Sequence, residues 1–151
     1  MKIAICYASL HHQNTLRLLE GLRRKDVDLI DVRQRMAFRV ERYDAVGFAS
    51  GIYHGSFHES ALLFARQYCP AGKPVFFLYT CHDIRRGCTD AIRKIAEEKG
   101  ALPVGECGFS GFPRPGSPER KSRPDQKDIE EAQRFLASLF PEEREDAADG
   151  I

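Results

Sequence analysis

Apolar and polar positions follow two alternating periods along this chain. Residues 3–8 (IAICYA) form a short, continuously apolar run, the pattern of a parallel strand covered on both faces. A polar stretch, SLHHQNT at 9–15, gives way to helical spacing. There Leu16, Leu19 and Leu22 share one face and Asn14 stands where an N-cap belongs. Residues 27–32 (VDLIDV) alternate, which predicts a strand at a sheet edge with one half-exposed face.

A second buried strand is expected over 43–49 (YDAVGFA), followed by a loop, SGIYHGS, at 50–56. Ser56 and Glu59 have the spacing of a capping box, so a helix is expected to start there, with Phe57, Ala61, Phe64 and Tyr68 inward and Pro70 beyond its end. VFFLY at 75–79 is the clearest strand. The loop TCHDIRRG (80–87) follows, then a helix with Ile92, Ile95 and Ala96 inward, ended by Gly100. Residues 101–109 give a weaker strand, interrupted by Pro103 and Gly105. The Pro-, Gly- and Arg-rich stretch from Gly111 to Pro124 reads as an irregular surface loop. A last amphipathic helix over 125–140 carries Ile129, Ala132, Leu136 and Leu139 on one face. The connection 33–42 has no defined pattern.

Buried strands alternating with helices argue for an α/β fold, a mostly parallel sheet with helices on both faces. Ligands of such sheets bind beyond the carboxyl ends of the strands, at the switch point, which points to three loops: 9–15, 50–56 and 80–87. A length of 151 residues suits one domain, here residues 1–140, with an acidic, frayed tail at 141–151. No internal repeat is present. Hydrophobic residues make up 42% and charged residues 30%, which excludes disorder of the whole chain. The net charge of +1 implies no general attraction to nucleic acid, and Arg23-Arg24-Lys25 reads as a solvated helix end. No stretch is long and apolar enough to span a membrane. The opening Met1-Lys2 runs straight into a strand pattern with no leader, and five cysteines, none in a Cys-x-x-Cys pair, suit reduced thiols. A cytoplasmic protein is the expectation.

All five histidines, His11, His12, His54, His58 and His82, fall in or beside the three loops, which favours a ligand site at that edge without naming the ligand. Loop 9–15 joins a buried strand to a helix start, where unpaired backbone N–H groups favour an anion, and Ser9, Asn14 and Thr15 add hydroxyl and amide donors. Ser9 and Asn14 can equally be helix caps with no ligand, and the residues alone leave both readings open.

KIAICYASLHHQNT resembles the opening of flavodoxin-family proteins, in which an apolar strand ends in a Ser/Thr-rich loop that holds the phosphate of FMN. YDAVGFASGIYHGSFHES at 43–60 resembles the family's third strand and first flavin loop, including the form in menaquinone-dependent protoporphyrinogen oxidase. VFFLYTCHDIRRG falls where the second flavin loop belongs, and SRPDQKD at 122–128 is similar to a GRPD-like segment of the family. The likeness covers roughly Met1 to Phe140. It implies a three-layer sandwich around a five-stranded parallel sheet in the order 2-1-3-4-5, with FMN bound non-covalently. The implied phosphate grip is Ser9, His11, His12, Gln13, Asn14 and Thr15. The implied ring walls are Ser50, Gly51, Ile52, Tyr53, His54 and Gly55 on one side and Thr80, Cys81, His82, Asp83 and Gly87 on the other. Tyr53 offers a flat stacking face. Gly51 and Gly55 let the backbone come close, with Gly55 the candidate for a peptide that flips near the flavin. The chain departs from the family at His12-Gln13, where many flavodoxins have Thr-Gly, and so lacks the glycine that most easily turns backbone amides toward the anion.

Other chemistries fail on spacing. A low-molecular-weight tyrosine phosphatase needs Arg six positions after its Cys, and here those positions are His12, Val75, Gly87, Lys94 and Pro113. A response-regulator receiver needs acids where this chain has Tyr7-Ala8-Ser9 and Ala49-Ser50, and no GxxxxGK[ST] segment exists. His54, His58, Cys81 and His82 form no metal spacing on one helical face, so no metal is expected. Cys81 and Cys107 close adjacent strands and read as inert thiols. Simple electron transfer needs no acid, base or nucleophile, so no catalytic residue is named. His54, His82, Arg85 and Arg86 against Asp83 make the ring edge cationic, which favours an anionic reduced flavin. Three readings follow: an electron carrier meeting a redox partner protein or small acceptor, an FMN-dependent oxidoreductase for a quinone or porphyrinogen-like substrate, and a flavin-free binding domain of the same fold. Oligomeric state is not legible.

Overall fold

A computed structural model describes residues 1–9, 14–22, 24–34, 38–84, 86–112 and 124–142. The elements run β1 (Ile3–Ala8), α1 (Asn14–Glu20), β2 (Val27–Asp31), a 3-10 turn (Val40–Arg42), β3 (Ala45–Tyr53), β4 (Ser56–Phe57), α2 (Glu59–Tyr68), β5 (Pro74–Thr80), α3 (Asp90–Glu98), β6 (Leu102–Phe109) and α4 (Gln126–Leu139). The five long strands are parallel in the order β2-β1-β3-β5-β6, and the two-residue β4 turns back antiparallel on β3. Without that hairpin, the order is the expected 2-1-3-4-5.

Two separate apolar clusters lie on the two faces of the sheet. Ala4, Cys6, Val46, Phe48 and Phe77 pack with Ala61 and Ala65 of α2 and Ile92, Ile95 and Ala96 of α3. Ile3, Ile5, Ala49, Phe76 and Leu78 pack with Leu18 and Leu19 of α1 and Ala132 and Leu136 of α4. Neighbouring residues Phe76 and Phe77 thus enter opposite layers, as the period of two in a strand requires. Two ring-on-glycine pairs join β5 to its neighbours. Phe76 pairs in register with Gly47 of β3, where a Cβ would fall 2.4 Å from its ring. Tyr79 pairs with Gly108 of β6, where a Cβ would fall 2.3 Å away.

β2 is an edge strand, as its alternation predicts, but all its residues are half-buried rather than alternating between a covered and an open face. β6 is the other edge. Its pairing shifts between Val75 and Phe76, which pair with Pro103 and Gly105, so Val104 is the extra residue of a bulge. The edge position also spares Pro103 the N–H it lacks.

Several boundaries differ from the sequence expectation. In α1 the buried residues are Thr15, Leu18 and Leu19, with Leu16 only half-buried. Asn14 is the first helical residue rather than the cap. β3 runs on through Tyr53, so Ser50 to Tyr53 are strand, not loop. Ser56 does not cap α2, because it lies in β4 beyond a two-residue turn. That turn, His54-Gly55, has positive φ at both positions (53° and 77°), the backbone of a tight hairpin, which Gly adopts freely and His at modest strain. The cap is His58, whose Nδ1 accepts the N–H of Ser60 at 3.0 Å. Phe112, expected in a surface loop, is fully buried against the α1–α4 cluster. α4 opens on a reciprocal cap in which the Asp128 N–H donates to Asp125 Oδ1 (2.9 Å) and the Asp125 N–H to Asp128 Oδ2 (3.0 Å). Residues 143–151 of the expected tail lie outside the described residues.

Candidate functional site

The carboxyl ends of β1, β3 and β5 meet at one end of the sheet, and the three loops singled out above leave from there. On the α1 side, Ser9 ends the first strand's run and is buried. Its Oγ accepts the N–H of Leu16 at 3.1 Å, which closes the turn into α1 and leaves its own hydrogen to give. Thr15, in the first turn of α1, faces Thr80 at the end of β5, with their hydroxyl oxygens 2.9 Å apart. His11, His12 and Gln13 lie outside the described residues, so the middle of the first loop has no placement here.

Alternation along β3 sends Ser50 and Ile52 toward the α2–α3 layer and Gly51 and Tyr53 toward the α1–α4 layer. Ser50 is fully buried. Its hydroxyl accepts the N–H of His58 at 3.0 Å and donates to the Gly51 carbonyl, tying the start of α2 to the strand end. The ring of Tyr53 leans back along its own strand over Gly51, where a Cβ would lie 3.2 Å from Cε2 and the hydroxyl oxygen. His58 also lies against that ring, edge-on with centroids 5.1 Å apart. His54 and Gly55 stand exposed at the hairpin tip. Among the described residues, Ser56 Oγ is a buried polar atom with no hydrogen-bond partner.

The 80–87 loop is laced to the end of β6 and the residues after it. The Cys81 N–H donates to the Phe109 carbonyl (2.9 Å), the Gly111 N–H to His82 (2.8 Å) and the Phe112 N–H to Cys81 (3.1 Å). A carbonyl only accepts, so His82 Nδ1, 3.1 Å from the Phe112 oxygen, carries the hydrogen of that bond. His82 Nε2 lies 4.0 Å from Asp83 Oδ2. Gly87 closes the loop at φ 90°, and its carbonyl accepts the N–H of Asp90 at 3.1 Å, just where α3 begins.

The structure therefore brings Ser9, Thr15, Gly51, Tyr53 and Thr80 to one face of the sheet end. His58 caps α2 through its Nδ1, and His82 Nδ1 bonds the Phe112 carbonyl. Among the described residues no group of three His, Cys, Asp or Glu side chains is arranged to hold a metal. Burial pushes the Cys81 and Cys107 thiols up to about 11. The residues missed by sequence reasoning are Ser56, His58 as cap, and 109–112 as backing for the second wall. Only the burial of Phe112 had a signal, in its being an aromatic among Pro and Gly.

No helix among the described residues is long and apolar enough to cross a membrane. No family model matches the sequence. An uncharacterized protein of Methanocaldococcus jannaschii is 27% identical over 148 residues, covering 93% of this chain and 99% of its own. Among solved structures, oxidised flavodoxin 2 from Bacillus cereus superposes with a TM-score of 0.66 at 21% identity, over 93% of this chain and 100% of its own. A flavodoxin from the domain Archaea gives 0.65 at 15%, over 92% and 96%. The Fusobacterium nucleatum flavodoxin bound to flavin mononucleotide gives 0.65 at 14%, over 91% and 96%. At these identities the likeness is one of architecture: the chain has the flavodoxin-like fold.

Proposed function

We propose that the chain binds FMN at the carboxyl end of the sheet and acts in electron transfer. The observation that carries this reading is the convergence, on one face, of three buried hydroxyls (Ser9, Thr15, Thr80) with a glycine under an aromatic ring (Gly51, Tyr53). Hydroxyls suit phosphate oxygens, and a ring over bare backbone suits a flat heterocycle. Ser56 Oγ, buried and unpartnered, is a further polar group that a ligand near the hairpin would satisfy. The donor set thus fits the cofactor that one of the similar structures carries.

In this reading Ser9 and Thr15 hold the phosphate end, together with His11, His12, Gln13 and Asn14. Ser50, Gly51, Ile52, Tyr53, His54 and Gly55 form one wall, and Thr80, Cys81, His82, Asp83 and Gly87 the other. FMN supplies the electron chemistry when bound. The chain's residues orient it, shield one edge and set the local charge. With no group assigned to proton transfer on a substrate, a carrier role for a redox partner protein or a small acceptor in the cytoplasm is the reading favoured over a quinone or porphyrinogen-like oxidoreductase.

The test is direct. The purified protein, denatured, should release a yellow cofactor identified as FMN by mass, and the stripped protein should take FMN back up with quenching of flavin fluorescence. Folded protein that neither carries nor takes up flavin would establish the flavin-free reading instead. Steady turnover of a quinone with NAD(P)H and no added reductase would favour the enzyme.

A further inference from the structure

We infer that Thr80 is a positioning residue for the phosphate end of the cofactor, acting through the hydroxyl of Thr15; this rests on the FMN reading above. The two residues are 65 positions apart, one in the first turn of α1 and one at the last rung of β5. They are 2% and 5% exposed, and their oxygens lie 2.9 Å apart. Packing alone does not require this pair, since two valines would fill the same space without any polar atom. A buried hydroxyl is retained at a cost unless its hydrogen and lone pairs find partners.

Each hydroxyl has one hydrogen and can accept as well, and either can be the donor in this pair. One bond between them therefore always leaves one hydrogen unspent. When Thr15 donates to Thr80, the unspent hydrogen belongs to Thr80, beside Gly51, its partner in the β3–β5 register. When Thr80 donates to Thr15, the unspent hydrogen belongs to Thr15, at the start of α1 where Ser9 Oγ also sits. A phosphate offers only acceptors, so it selects the second orientation. Thr80 then fixes the rotor of Thr15 and, by donating to it, strengthens the bond that Thr15 gives to the anion. Riboflavin has no phosphate and makes no such selection.

The experiment compares FMN with riboflavin, both titrated into stripped protein, for wild type, Thr80→Val, Thr80→Ser, Thr15→Val and the double valine variant. Thr80→Val should lower the ratio of FMN to riboflavin affinity about 3- to 10-fold, the worth of one hydrogen bond. Thr80→Ser should restore the ratio. In the Thr15→Val background, Thr80→Val should leave the ratio where Thr15→Val alone puts it. Equal loss for both ligands, no loss, or full additivity would overturn the inference, because a merely structural Thr80 affects both ligands alike. Wild-type protein that binds neither ligand is a different failure, that of the FMN reading itself, and takes the inference with it. Should a valine variant fold poorly, Thr80→Ala judged by the same ratio decides the matter.

Discussion

Tyr53 lies over Gly51, its neighbour two residues back on the same strand, so closely that a single methyl group at Gly51 would meet the ring at 3.2 Å. The strand end is thus shaped by an absent side chain. Gly51→Ala must push the ring outward by a few tenths of an ångström or twist it off its contact with His58.

Flavin affinity should follow that ring. Gly51→Ala is expected to weaken FMN binding by about 0.5–1.5 kcal/mol, the range of one aromatic stacking contact, with little change in unfolding temperature. In a Tyr53→Ala background the same substitution should add nothing. Fluorescence titration of the four proteins checks this, and an undiminished effect of Gly51→Ala without Tyr53 would refute it.

In the FMN reading, the charge of the 80–87 loop should set the direction of a potential shift. Arg86 and Asp83 are both exposed in the 80–87 loop, and Arg85 lies outside the described residues. A cation stabilises an anionic reduced flavin, so Arg86→Glu should lower the midpoint potential, and more so at low salt. Potentiometry on flavin-loaded protein at two ionic strengths reads this out. An unchanged or raised potential would count against the assignment.

Acid stability should depend on a pair far from the site. The Arg24 guanidinium grips Asp26 through two bonds, 2.9 and 2.7 Å, and gives a third at 2.6 Å to the Phe140 carbonyl at the end of α4. Chiefly through that hydrogen bonding, Arg24 holds the Asp26 carboxyl below its ordinary value. A lowered native value means stability that is present above the ordinary carboxylate range and lost as pH falls through the native one. Asp26→Asn should therefore destabilise at neutral pH by on the order of 1–2 kcal/mol and converge with wild type in strong acid. Urea unfolding at several pH values tests it; a gap that widens toward low pH would be wrong in sign.

Thiol chemistry should be slow. At pH 8, a thiol raised to about 11 is thiolate only about one part in a thousand of the time, by simple titration. Alkylation of Cys81 and Cys107 in the folded protein should thus lag far behind that in urea, as followed by peptide mass mapping. Prompt labelling of either thiol in folded protein would contradict the burial described.

Much of this architecture was legible from periodicity. The inward face of α3, Ile92, Ile95 and Ala96, is as the spacing predicts, because a helix on a flat sheet has few ways to hide its apolar stripe. The end of β3 was not legible: Ser50 and Gly51 look like loop residues until the neighbouring strands supply partners for their backbone. His58 hid as a cap because an imidazole rarely serves as one, whereas Ser56 had the expected spacing. The Thr15–Thr80 contact spans 65 residues and leaves no local trace. Of the candidate site, residue types were readable and facing was not, since facing depends on where a strand stops.

The two ring-on-glycine pairs of β5 act as notches. That strand is oily on both sides, so hydrophobicity cannot tell one alignment from the next; a shift by one place would hide as much carbon. It would, however, leave the hollows over Gly47 and Gly108 empty and drive two rings against the side chains that flank them. Alignment of β5 between β3 and β6 is therefore keyed by shape. Because Thr80 is its last rung, the same key sets the height of the strand end, and of the Thr15–Thr80 contact, to within one step of about 3.3 Å.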